Sequence, residues 1–93
     1  ANIFPAPRLQ EILEARDLLK AAVPFPVTGA KILRAAKEVH FETKDGPALW
    51  LDFATPLKDQ IAKLSAANGE KKLFEKKLQY IDLRIPEKII YHE

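Results

Sequence analysis

The chain has 93 residues, 47% of them hydrophobic, and its 15 basic and 13 acidic residues leave a formal charge of +2. This is enough for one small domain with a single core over residues 1–93, and a charge so evenly mixed selects neither nucleic acid nor a membrane surface as partner. Cysteine is absent, which excludes disulfides and thiolate metal sites; methionine is absent too, so the chain is expected to be a fragment or processed product of a longer protein.

Ala1 to Ala6 reads as an extended lead-in, and Pro7 suits a first helical turn because its missing N–H would be unpaired there anyway. Leu9, Ile12, Leu13, Leu19 and Val23 recur at helical spacing and predict a first helix to about Ala22, ended by Pro24 and Pro26. Val27 to Lys37 is expected to be a strand leading into the next one, although Ala30 to Lys37 alone also fits a helical turn. Val39, Phe41 and Thr43 then alternate with Glu38, His40 and Glu42. Leu49, Leu51 and Phe53 alternate with Trp50 and Asp52, and Asp45-Gly46 lies between the two runs, predicting a hairpin. A two-residue loop would mix the apolar sets across both faces. A three-residue loop, Asp45-Gly46-Pro47, puts Phe41 opposite Leu51 and Val39 opposite Phe53, with His40 opposite Asp52 and Glu42 opposite Trp50 on the other face. Thr55-Pro56 starts a second helix through Leu57, Ile61 and Leu64, expected to end near Asn68-Gly69. Glu70 to Lys77, around Leu73-Phe74, reads as a solvated connection with room for a helical turn.

Leu78 to Glu93 reads as a terminal hairpin. Ile81, Leu83 and Ile85 alternate with Asp82 and Arg84, Pro86-Glu87-Lys88 forms the loop, and Ile89 to Tyr91 is the closing run. That loop places Ile85 opposite Ile89 and Leu83 opposite Tyr91 inside, Arg84 beside Ile90 outside, and His92 opposite Asp82. A last strand with no successor is a candidate sheet edge, whose unpaired N–H and C=O groups can pair with another chain. Arg84 beside an exposed Ile90 fits an interface centre, or equally an arginine stem covering an aliphatic neighbour. The whole pattern predicts an α+β fold: two helices packed on one face of a mostly antiparallel β-sheet, ending in a C-terminal β-hairpin.

Catalytic chemistry is poorly supplied, and no enzyme is expected. Ser65 is the sole serine, on the polar side of the second helix. His40 and His92 each face a carboxylate in the expected registers, an arrangement worth about 0 to 1 kcal/mol at a surface. No close histidine spacing supports a metal, and three scattered glycines form no phosphate-cradling loop, so no metal or cofactor is expected. Trp50 stands alone on the outer face of the first hairpin, a weak platform for bases. The basic isoelectric point near 8.9 and the lysines from Lys71 to Lys77 keep a small nucleic-acid-binding module as the alternative.

Tyr80-Ile81-Asp82-Leu83-Arg84, after a helix and a charged connector and before a short closing strand, resembles the end of the extracytoplasmic β domain of the FtsQ family of bacterial cell-division proteins, called DivIB in Gram-positive bacteria. The likeness continues upstream through a helix with Leu18-Leu19, a strand ending near Thr43, the Lys44-Asp45-Gly46 turn, the Leu49 to Phe53 strand and the Leu57, Ile61, Leu64 helix. Nearly the whole chain is covered. The resemblance implies a membrane-anchored parent with one transmembrane helix, a POTRA domain and this β domain on the extracytoplasmic side of the cell membrane. It further implies a non-enzymatic divisome scaffold for septation, whose partners are the small coiled-coil proteins FtsB (DivIC) and FtsL, with no nucleic acid and no small-molecule substrate. Partner binding in the family adds a strand to the last strand. The implied partner-binding residues are Arg84, Ile89, Ile90, Tyr91 and His92, with Lys37 as an upstream basic contact. The chain departs from the family at Ile85, where many members carry an aromatic, at Glu87-Lys88 in place of small residues, and at Tyr91-His92 in place of a closing tryptophan.

Overall fold

The computed structural model describes residues 6–93. Helix α1 (Ala6–Ala22) starts one residue before Pro7, so Ala6 is helical and the rest of the expected lead-in lies outside the described residues. Its buried line is Ile12, Ala15 and Leu19, continued by Val23 just past the end, at the 3-4-4 spacing of one helix face. Leu9 and Leu13, expected on that stripe, are 47% and 38% exposed. They fall to one side of the Ile12–Ala15–Leu19 line, and the small Ala15 takes the central place instead.

The sheet contains β1 (Val27–Leu33), β2 (Glu38–Thr43), β3 (Ala48–Asp52), β4 (Tyr80–Asp82) and β5 (Ile90–His92), in chain order from one edge to the other. All neighbours are antiparallel except β3 and β4. Helix α2 (Leu57–Lys71) lies between those two strands in the chain and supplies the crossover that a parallel pair requires. Both helices pack on the same face. The α+β architecture is therefore the one expected from periodicity, with the parallel pair added.

The first hairpin has the expected odd loop, placed one residue earlier. Val39 pairs with Leu51, Phe41 with Leu49 and His40 with Trp50, so the loop is Lys44-Asp45-Gly46 and the register differs from the expected one by two residues. An even slip leaves every side chain on its predicted face. The loop closes through Thr43 Oγ1, which donates to Pro47 O at 2.8 Å, and Asp45 takes the left-handed conformation (φ 60°). Gly46 is there because Phe25 lies against it: a Cβ would stand 2.5 Å from the Phe25 ring.

Helix α2 is held at both ends by groups the local sequence does not reveal. Its first N–H, from Leu57, donates to Glu11 Oε2 of α1 at 3.0 Å, while Thr55 accepts from the buried Gln60 amide rather than capping the helix. Gln60 also bonds Asp52 N and O, fastening α2 to the end of β3. The helix runs past Asn68-Gly69, and Lys72 (φ 54°) takes the left-handed closing conformation, its N–H on Asn68 O. Asn68 Oδ1 then accepts from Phe74 N at 2.8 Å and starts a 3₁₀ turn, Leu73–Glu75. The expected solvated connection is thus partly core, because Leu73 is fully buried. Phe41, Leu49, Leu51, Ile81 and Leu83 meet Leu57, Ile61, Leu64 and Leu73 in one apolar layer between helices and sheet.

Candidate functional site

β5 closes the sheet. It pairs with β4 as Tyr80–His92, Ile81–Tyr91 and Asp82–Ile90, and no strand among the described residues pairs with its other side. This register replaces the expected Leu83–Tyr91 and Ile85–Ile89 pairs, again by a slip of two. Leu83 N–H donates to Trp50 O of β3 at 2.8 Å, and the Arg84 N–H, the next one due to face β5, is taken by Asp82 Oδ1 at 3.0 Å instead of by a partner on β5. Residues 83–89 become the connection, with Glu87 at φ 61°. Face assignments survive the even slip except at Ile85, expected inside but 40% exposed in the connection: Ile89 and Tyr91 pack against the core, while Ile90, 42% exposed, and His92 lie on the side away from the helices.

Arg84 does not stand beside Ile90; Asp82 occupies that position. Arg84 Nε and Nη2 donate to the two carboxylate oxygens of Asp82 at 2.8 and 2.7 Å, and Nη1 donates to Glu38 Oε2 at 2.7 Å. The guanidinium thereby bridges β4 to β2 across β3, with its central carbon 5.3 Å from the centre of the Trp50 ring. Burial acts to raise both carboxyls. At Asp82 the Arg84 hydrogen bonds outweigh it, and at Glu38 those from His40 and Arg84 do, so both pKa values lie below the ordinary carboxylate values. The Asp82 hydrogen bond, against desolvation, raises Arg84 in turn.

The histidines are partnered differently from the expected pairing with carboxylates across the strands. His40 Nε2 meets Glu38 Oε1 on its own strand at 2.8 Å, and the His92 ring tilts against Tyr80 at 5.8 Å. Trp50 is not alone. It stacks on Tyr80 at 4.0 Å with planes 6° apart and on His40 at 5.1 Å, so a row of rings crosses β2, β3, β4 and β5. Trp50, stacked by both His40 and Tyr80, is no open platform for a base.

Lys37 (φ 56°) is exposed in the β1–β2 turn, its carbonyl accepting from Phe53 N at 3.1 Å. It adjoins Glu38 and shares the Arg84 end of the sheet, but three strand spacings, about 14 Å, separate β2 from β5. The fold thus brings Ile89, Ile90, Tyr91 and His92 together, sets Arg84 next to them through Asp82, and leaves Lys37 apart. On the helix side of β5 lies a groove of about 690 Å³, with Ile89 and Tyr91 on one wall and Ala66, Ala67 and Leu73 on the other. Ser65 is exposed on α2, across the sheet from His40 and His92. No group of three or more histidine or carboxylate residues among the described residues is placed to hold a metal ion.

Glu38, Asp82, Tyr80 and Lys63 were not foreseen at this site. The i, i+2 spacing of Asp82 and Arg84 on one strand face is a signal for their bidentate pairing. Glu38 is 46 residues from Arg84 and gives none. No protein-family model matches the chain, and no curated protein matches its sequence.

Proposed function

We propose that this domain is a non-enzymatic scaffold that takes a partner's strand on the outer side of β5. The observation that carries the strand-docking part is the place of β5: among the described residues it is paired on one side only, with Ile90 exposed on one face and a groove on the other. An added strand alternates its side chains, so one set enters the groove against Tyr91 while the other meets Ile90 and His92. The cell-division part rests on the Tyr80 to Arg84 string and the order of elements. On that ground the chain is the β domain of an FtsQ/DivIB-like, membrane-anchored divisome protein on the extracytoplasmic side, and its partners are FtsB/DivIC-like and FtsL-like proteins.

Arg84 serves this reading indirectly, since its donors hold β4 and β2 rather than pointing off the edge. Ile90→Glu tests the site. Capture of the FtsB/DivIC-like partner is expected to fall by about tenfold or more, with urea unfolding unchanged because Ile90 is outside the core. Undiminished capture contradicts the site.

A further inference from the structure

The ladder between β4 and β5 ends at Asp82 and Ile90, and after the Leu83 N–H bond to Trp50 O the connection runs on through residues 84–89 outside the sheet. Two grooves, of about 690 and 260 Å³, open on either side of Lys63 and leave this connection thinly packed. Lys63 of α2 reaches across. Its Nζ donates to Leu83 O at 3.0 Å and to Ile85 O at 2.7 Å. An ammonium carries three donors and no acceptor, which lets it join two carbonyls at once; the Ile85 carbonyl also accepts from Lys88 N–H at 3.2 Å, so Lys63 ties that turn to α2. Desolvation lowers the Lys63 pKa against the pull of Asp82 and Asp52, so the group sits where burial is felt. Arg84 grips the same segment from the other face of the sheet through Asp82 and Glu38.

We propose that Lys63 is a positioning residue for the docking edge: by fastening the carbonyls of Leu83 and Ile85 to α2 it fixes the β4–β5 connection and hence the placement of β5. Its functional meaning rests on β5 being the strand that takes a partner; the clamp itself is a property of the free domain. A pre-positioned edge saves the partner the entropy of ordering it, so loss of the clamp weakens docking through the placement of β5.

Amide hydrogen exchange on the free domain tests the clamp. Lys63→Met keeps an apolar stem and deletes both bonds. In it those amides of Lys88 to His92 that are protected in the wild type are expected to exchange about tenfold or more faster, while those of Val39 to Phe41 in β2 keep their rates. Lys63→Arg, which still donates, is expected to hold the wild-type rates. Equal acceleration in β2 and β5 would make Lys63 a general stability residue and overturn the inference, as would no acceleration at all. Capture of the partner by Lys63→Met is expected to weaken alongside; faster exchange with undiminished capture overturns the positioning role. A wild-type domain that captures no partner contradicts the docking reading and leaves the exchange result to stand by itself.

Discussion

Three of the five N–H donors of Arg84 are spent inside the domain, two on Asp82 and one on Glu38. Removing the guanidinium leaves two carboxylates facing each other without their cation, so Arg84→Met is expected to cost about 1–3 kcal/mol at neutral pH in urea unfolding. The pH dependence has a definite sign. Glu38 and Asp82 have folded pKa values below their ordinary 4.5 and 3.8, so they contribute stability that is present above those values and lost as pH falls through the folded ones. In Arg84→Met the guanidinium is gone while the His40 contact at Glu38 and the residue-84 N–H at Asp82 remain, so both carboxylates are less favoured than in the wild type and the gap between wild type and variant is widest at neutral pH and closes below about pH 4. A gap that stays constant down to pH 3 contradicts the triad. The Asp82–Arg84 half of it was legible in the sequence as two charges on one strand face. The Glu38 half was not, because it depends on β2 lying two strands from β4.

Parity was legible at the scale of elements, and absolute register was not. Alternation fixes which side chains face the core, and both hairpins keep those faces where they pair; Ile85, past the end of the β4–β5 ladder, does not. A slip of two costs nothing in that pattern, so the Thr43–Pro47 bond and the Arg84 N–H bond to the Asp82 carboxylate decide it instead. Helix α2 shows the same limit: Asn68-Gly69 reads as a stop, yet burial of Leu73 carries the chain on to a left-handed Lys72. The two glycines are therefore expected to respond in opposite ways. Gly69 lies within the helix with open space around a would-be Cβ, so Gly69→Ala should stabilise by about 0.5–1 kcal/mol. Gly46→Ala drives a methyl into the Phe25 ring and should destabilise by about 1–3 kcal/mol. Thermal unfolding of the pair checks both, and a stabilising Gly46→Ala would contradict the close approach.

For the whole molecule the deciding feature is which strands are left at the edges. β1 is one, and a bulge between Val27 and Gly29 together with exposed Lys31 blunts it. β5 is the other, three residues long, with exposed Ile90 and a groove beside it. That the final run would be a strand could be anticipated from its alternation. That its neighbour β4 would pair in parallel with β3 could not, since it required α2 to cross the sheet. The most direct test is amide exchange of Ile90, Tyr91 and His92 in the domain, free and saturated with the FtsB/DivIC-like partner. If β5 docks a strand, at least one of these amides exchanges rapidly in the free domain and slows by about tenfold or more in the complex, with β1 unchanged. Protection gained at β1 instead, or none gained at β5, would contradict strand docking at this edge.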